Sequence, residues 1–309
     1  MKTTICTLFE GHYHQGVGAL GNSLSAAGFR GIMWAGYRGP LPPWASSAVV
    51  IDPDMRRLDV EEGFSIIFVH LETPLHFAYF KPEFLARILD EFDPDCDAAI
   101  YIDPDIVVKC PWHLLERWPW QGVALVQDVH SVMPPRHPMR LAWWEFLAQR
   151  GISADFPRDR YYSSGFVGVP RSQRRFLDVW ERVMEIVLSE IGSNKGTKHG
   201  AAGEIFHSTD QDALNMALMV ADTPVNAAGS ESMDFATGGY LLSHAIGTPK
   251  PWNGGFLSEA FRGSPPRMAS KAFLYYATGP IKFCEPARRA WLVFTLNLSA
   301  AIGRFYRRA

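Results

Sequence analysis

Short β-branched apolar runs alternate with amphipathic stretches over most of the chain, the pattern of strands exchanging with helices. Thr3 to Phe9 reads as a first strand; it breaks at Glu10-Gly11-His12-Tyr13-His14, and Val17 to Ala27 reads as a helix closed by Gly28. Gly31 to Ala35 is a second strand running into a Gly/Pro-rich turn from Gly36 to Pro43, with further strands at Ala48 to Ile51 and Phe64 to Val69. Lys81-Pro82 reads as a helix entrance, with Pro82 at the first helical position, and Phe84, Leu85, Ile88, Leu89 and Phe92 then share one face. Ala98 to Ile102 is apolar without alternation, as a strand covered on both faces must be, and it ends abruptly in Asp103-Pro104-Asp105 before a second β-branched run. A short helix near Pro111 to Trp118, a strand at Val123 to Val126 and a Trp-rich helix up to Arg150 follow. Tyr161 to Val169 reads as a strand, Phe176 to Ile191 as a helix, and Gly192 to Gly203 and Ala227 to Gly239 as loops. The alternation predicts an α/β chain with a mostly parallel sheet covered by helices. No internal repeat or linker interrupts it, so one continuous domain with a C-terminal tail is expected.

Composition narrows the classes. The chain has 309 residues, 47% of them hydrophobic and 20% charged, enough for a sizeable core in an ordinary globular protein. A net charge of -2 gives no general attraction for nucleic acid. Cys6, Cys96, Cys110 and Cys284 are scattered without a Cys-x-x-Cys pair, which favours reduced, buried thiols over a disulfide framework or zinc site. The chain enters its first strand without a leader-like apolar segment, and no run approaches about 18 apolar residues, so the expected address is the cytoplasm.

The candidate chemistry begins at the acidic strand end. Five Asp-x-Asp pairs occur (Asp52/Asp54, Asp93/Asp95, Asp95/Asp97, Asp103/Asp105, Asp210/Asp212), and only the pair at Asp103 directly follows an apolar strand. Carboxylates at the carboxyl end of a strand lie where open α/β sheets bind ligands. Such hard oxygen donors suit Mg²⁺ or Mn²⁺ shared with substrate phosphates. Far downstream, His244-Ala-Ile-Gly247-Thr-Pro-Lys250-Pro251-Trp252 combines a third metal ligand, a glycine that lets phosphate approach backbone, and a point charge for it. His244 alone would be read as a structural histidine; with Gly247 and Lys250 at this spacing a functional reading gains ground.

These residues resemble the GT-A-fold glycosyltransferases of the glycogenin and bacterial lipopolysaccharide galactosyltransferase type, glycosyltransferase family eight. The apolar strand into Asp103-Pro104-Asp105, Tyr162-Ser163-Ser164-Gly165-Phe-Val, and His244 to Trp252 match in order and rough spacing over about residues 1 to 256. The resemblance implies a Rossmann-like nucleotide-diphospho-sugar transferase fold, with residues 257–309 as an extension outside the match. It implies a retaining transfer of a hexose from a UDP-sugar to an acceptor hydroxyl of a glycan or glycolipid. It further implies that Asp103, Asp105 and His244 bind Mn²⁺ or Mg²⁺, and that Gly247, Lys250, Pro104 and Trp252 belong to the nucleotide-diphosphate site. The segment holding Thr7, Phe9 and Tyr13 would cradle the nucleoside, with Tyr13 stacking on the base. Ser163, Ser164, Asp210 and Gln211 would meet the donor sugar, Gln211 near the anomeric carbon, with Asp210 and Gln211 the catalytic candidates. Two positions depart from the family: Ser163 stands where Asn is frequent, and Lys81 where an arginine is usual.

Other readings stay open. Thr209 followed by Asp212 is also a capping-box pattern. A haloacid-dehalogenase-type phosphatase places Asp-x-Asp after an apolar strand too, but would leave His244 to Trp252 unexplained; a protein that kept sugar-nucleotide binding and lost turnover is the non-enzymatic alternative. In the tail, Trp291, Phe294, Leu298, Ile302 and Phe305 are spaced for one helical face, and five arginines (Arg288, Arg289, Arg304, Arg307, Arg308) flank it. Such a helix either lies on anionic lipid at the inner face of a membrane or packs on the core with a solvated basic end.

Overall fold

The computed structural model describes residues 1–192, 198–201 and 203–305. Residues 193–197 and 202 of the loop expected between Gly192 and Gly203 lie outside the described residues, as do Tyr306, Arg307 and Arg308 of the tail. Strand β1 (Thr3–Glu10) leads through one 3-10 turn to helix α1 (His14–Ala26), then to β2 (Gly31–Arg38), β3 (Val49–Asp52), β4 (Met55–Glu61) and β5 (Phe64–His70). Helix α2 (Lys81–Arg87) precedes β6 (Ala98–Ile102) and β7 (Ile106–Val108). Next come α3 (Trp112–Glu116), β8 (Val123–Val132), α4 (Pro138–Ala148), β9 (Arg160–Pro170), α5 (Arg175–Ile191) and α6 (Thr209–Val220). The chain closes with β10 (Val225–Ala228), β11 (Leu242–His244), α7 (Phe256–Phe261), α8 (Met268–Tyr275) and α9 (Pro286–Phe305).

Contacts divide the chain into two compact units, each assembled from separated segments. The first comprises Met1–Leu8, Leu71–Ile102 and His113–Ser230. Its strands run in the order β10-β8-β9-β6-β1, with β1 parallel to β6 (Thr3 opposite Ala98) and β10 parallel to β8, while β9 is inserted antiparallel to both its neighbours. All five residues of β6 are buried, as its unbroken apolar run requires. Helix α5 buries Phe176, Leu177, Trp180, Val183, Met184 and Val187, a 3.6-residue stripe that packs against α2 and α6, and ends at Gly192 in the left-handed region (φ +71°).

The second unit comprises Phe9–His70, Asp103–Trp112 and the chain from Glu231 onward. Its strands run β2-β5-β4-β3, with β2 parallel to β5 and the rest antiparallel, and β7 pairs separately with β11. The α/β reading therefore holds, with helices flanking parallel strand pairs and antiparallel pairing entering at β9, β4 and β3. One core cluster of this unit joins Ala19, Val107, Trp252, Phe256, Phe273, Leu274, Leu292 and Leu296.

Helix α9 packs, but by a stripe next to the one its large residues mark. Leu292, Thr295, Leu296, Ser299 and Gly303 are buried, whereas Trp291 and Phe294 are 62% and 57% exposed. Small residues explain the choice. A Cβ on Gly303 would stand 2.5 Å from the Pro265 ring, and Thr295 and Ser299 satisfy their hydroxyls on carbonyls of their own helix, so this side approaches its neighbours closely. No described helix is long and apolar enough to cross a membrane.

Candidate functional site

In the second unit the chain reverses at Asp103-Pro104-Asp105, where the Ile106 amide bonds the Asp103 carbonyl at 3.0 Å. Helix α1 lies directly on this turn: a Cβ on Gly16 would fall 2.1 Å from the Pro104 carbonyl oxygen, so only glycine fits. Strand β11 pairs antiparallel with β7, placing His244 opposite Ile106, and the Ala245 amide donates to the Asp105 carbonyl at 3.0 Å. Three segments distant in sequence thereby bring His244 Nε2 within 3.2 Å of Asp105 Oδ1 and 4.0 Å of Asp103 Oδ2.

One ligand atom from each of Asp103, Asp105 and His244 lies within 4.8 Å of the others. Octahedral ligands about 2.1 Å from an ion stand roughly 3 to 4.2 Å apart; the separations of His244 Nε2 from Asp105 Oδ1, 3.2 Å, and from Asp103 Oδ2, 4.0 Å, fall in that range, so these residues could hold a divalent ion. The other ring nitrogen, His244 Nδ1, is buried without a hydrogen-bond partner among the described residues. Lys250 Nζ donates to Asp105 Oδ2 and, at 2.9 Å, to the Ala245 carbonyl, and it stands 5.6 Å from the centre of the Tyr13 ring. Burial raises the Asp105 carboxyl, but His244 and Lys250 outweigh it and hold the group well below the usual carboxylate range.

The loop from Ala245 to Trp252 is braced by its surroundings. Gly247 sits at φ +72°, which favours glycine irrespective of space. Arg267, just before α8, donates to the carbonyls of Ile246 and Pro249 on either side of it. Trp252 is buried, its ring meeting Tyr13 edge-on at 5.4 Å and Phe273 at 5.4 Å. Tyr13 remains 38% exposed, so it has a free ring surface beside Lys250. Phe9 is buried and stacks on Tyr37 at 6.0 Å, and Thr7 is fully buried within β1. Of the segment Thr7 to Tyr13, the Tyr13 end is the one open to a ligand.

The first unit carries a second cluster. Lys81 Nζ, buried at the start of α2, reaches Asp210 Oδ2 at 3.2 Å and the Ser164 carbonyl at 3.1 Å, and lies 5.0 Å from the Tyr101 ring centre. Ser164 Oγ donates to the same Asp210 oxygen at 2.6 Å, and the Ser163 hydroxyl accepts the Gly165 amide at 3.2 Å. Gln211 is held at both ends: its Oε1 accepts the Ser164 amide at 3.3 Å, and its Nε2 donates to Asp128 Oδ2 at 3.0 Å. Lys81, Ser164, Asp210 and Gln211 are therefore brought together as a set.

Asp128 is the member that sequence reasoning missed. The expected strand stopped at Val126, yet β8 continues to Val132, and nothing local marks Asp128 as different from a solvated strand-end acid. Behind the cluster, Asp212 accepts from the Tyr161 hydroxyl at 2.6 Å and the Ser208 amide at 2.8 Å. Burial nevertheless pushes its carboxyl up to about 7. The helix cap consequently falls on Ser208, with Asp212 reaching back to it, while Thr209 is already helical and bonds the Phe206 carbonyl.

No protein-family model matches the chain, and no curated protein matches it in sequence. Solved structures do match in fold. The chain is similar to the bifunctional glycosyltransferase WbbM (15% identity, TM-score 0.53, 95% of this chain) and to the glycosyltransferase GlyE of Streptococcus pneumoniae TIGR4 (14%, 0.52, 96%). It is similar also to LgtC, solved as an active-site mutant (15%, 0.52, 89%). The chain spans 51% of the WbbM chain and 64% of the GlyE chain, but 95% of the LgtC chain. Its fold is thus GT-A-like, the architecture of LgtC-type glycosyltransferases.

Proposed function

We propose that the chain is a metal-dependent glycosyltransferase. It moves a hexose from a nucleotide-diphosphate sugar, in the first instance a UDP-sugar, to an acceptor hydroxyl with retention of anomeric configuration. The observation that carries this reading is the convergence of Asp103, Asp105 and His244 beside Lys250, on a backbone shared with glycosyltransferases. A divalent ion held by the three side chains would supply Lewis-acid stabilisation to a departing diphosphate. Lys250 and the Gly247 backbone bind the phosphates, Pro104 and Trp252 shape the loop and turn around them, and the exposed Tyr13 ring takes the base.

The cluster of Lys81, Ser163, Ser164, Asp210 and Gln211 is assigned to the donor sugar. Gln211 offers a neutral amide, a poor nucleophile, which favours attack by the acceptor on the face that the diphosphate leaves, without a glycosyl-enzyme adduct. A glycan or glycolipid acceptor suits the molecule. The exposed Trp291, Phe294 and Leu298 with Arg288, Arg289 and Arg304 on α9 support peripheral contact with an anionic membrane face from the cytoplasm. The phosphatase alternative is not favoured, because it gives His244 and Lys250 no role and the matching solved structures are glycosyltransferases.

The test is thermal denaturation against a panel of nucleotide sugars with and without Mn²⁺, since a ligand of the native state raises the melting temperature. A UDP-sugar should do so strongly only with Mn²⁺. A panel in which no nucleotide sugar shifts the transition under either condition sinks the proposal.

A further inference from the structure

We infer that Asp234 is a positioning residue for the metal site, acting through His244; the inference rests on the metal reading above. It starts from an oddity of that histidine. Metal-bound imidazoles are ordinarily oriented by a hydrogen bond on the nitrogen turned away from the ion. Here Nδ1 is buried and has no such partner among the described residues. What holds the ring must therefore act through its backbone and its faces.

Strand β11 is only Leu242–His244, too short to be fixed by its pairing with β7 alone. A buried carboxylate ties the two strands together. Asp234 Oδ1 accepts from Lys109 Nζ at 2.6 Å, and Asp234 Oδ2 accepts from the Ser243 hydroxyl at 2.5 Å. Lys109 closes the segment that begins at Asp103, and its amide and ammonium also bond the carbonyls of Leu241 and Gly239, at 2.9 and 2.7 Å. Ser243 immediately precedes His244. One side chain thus links the segment carrying both metal carboxylates to the segment carrying the imidazole.

Two further features point the same way. Asp234 is the one described residue other than glycine with a positive φ, +58°, a conformation disfavoured for an L side chain. The surroundings hold it there, as residues in over-determined, functional positions are held. Its neighbour Phe235 then lays its ring 5.7 Å from the His244 ring, tilted by 38°, covering a face that no hydrogen bond constrains.

The experiment titrates Mn²⁺ into the full chain and reads free Mn²⁺ by electron paramagnetic resonance. It compares wild type, Asp234→Asn, His244→Gln and the double variant. Asparagine tolerates the left-handed conformation, so Asp234→Asn removes charge without forcing the backbone. Its Mn²⁺ Kd should rise about tenfold, the lower end of what groups supporting a metal ligand are worth. Metal-free UDP binding should stay within about twofold on the same grounds, because Asp234 touches no residue assigned to the nucleotide.

The deciding comparison is the cycle. Once His244 is replaced, Asp234→Asn should cost no further Mn²⁺ affinity. An unchanged Kd in a folded Asp234→Asn protein, or the same loss in both backgrounds, overturns the inference. Should Asp234→Asn not fold, Ser243→Ala carries the same comparison by removing a single link. If wild type itself takes up no Mn²⁺, the metal reading fails and this inference with it; full Mn²⁺ affinity in Asp234→Asn beside a loss in His244→Gln overturns only the role of Asp234.

Discussion

Gln211 has no slack: one end of its amide accepts the Ser164 amide and the other donates to Asp128. Gln211→Ala should slow transfer without abolishing it, because the charge around the sugar would remain while its orientation suffered. Gln211→Glu should be worse than its conservative appearance suggests, since it sets a carboxylate where an N–H now meets the Asp128 carboxylate. Single-turnover rates and product anomer by NMR check both; a faster Glu variant, or a product of inverted configuration, contradicts the assignment. The two aspartates of the metal set should also separate. Asp105 is buried between Lys250 and His244, so Asp105→Asn strands a mostly buried ammonium and should cost about 3–5 kcal/mol in the metal-free protein. Asp103 is more open, with 21% of its side chain exposed, and Asp103→Asn should cost about 1 kcal/mol or less. Both variants should lose Mn²⁺-dependent UDP binding. Equal melting temperatures for the two, measured without metal, would show that the Asp105 pairs do not support the fold.

At the scale of single elements, the start of α6 makes a prediction about pH. The folded Asp212 carboxyl sits at about 7, above its ordinary value of 3.8, so the folded protein holds a proton that the unfolded chain releases. The stabilisation tied to that proton is complete below the ordinary value and is lost as pH rises through about 7. Asp212→Asn keeps partners for Tyr161 and Ser208, because the amide can turn its oxygen to the Ser208 amide and its nitrogen to the hydroxyl. Between pH 5 and 8 the melting temperature of wild type should therefore fall relative to the variant by roughly 1–3 kcal/mol in stability terms; parallel profiles would show that Asp212 is ionised throughout. Other elements differ in how far the sequence alone reveals them. Strand β6 and helix α5 could be read because burial on both faces, or on one stripe, writes an unambiguous pattern. Strand β4, Met-Arg-Arg-Leu-Asp-Val-Glu, was not anticipated, because its partners on either side rather than its own apolar content make it a strand. Strands β10 and β11 are four and three residues long and exist through β8 and β7. Asp103, Asp105, His244 and Lys250 stood out because they lie in dense motifs, whereas Asp128, Asp234 and Gly16 gain meaning only from chains that meet them from far away.

For the whole molecule, the two compact units divide the assigned labour: metal and diphosphate residues fall in the second, and donor-sugar residues in the first. The chain beyond residue 256 belongs to the second unit and shares its core. Arg288 donates to the Trp252 carbonyl at 2.8 Å, and a Cβ on Gly254 would meet Leu292 at 2.9 Å, so α9 backs the same loop that carries Lys250. Deleting residues 287–309 would therefore confuse membrane binding with loss of fold. The structure supplies a cleaner pair of variants on opposite sides of one helix. Leu296→Ala opens the core cluster and should cost about 2–5 kcal/mol of stability. Trp291→Ser with Phe294→Ser changes two exposed rings that stack on each other at 5.8 Å, and should leave the melting temperature within about 3 degrees, since each substitution of this kind usually falls within ±0.5 kcal/mol. In co-sedimentation with anionic vesicles, the ring pair should be needed for binding and Leu296→Ala should not, as long as the protein stays folded. Added salt should weaken the wild-type interaction by screening Arg288, Arg289 and Arg304. Vesicle binding that survives loss of both rings, or that is absent from wild type, would mean that the exposed stripe of α9 faces something other than lipid.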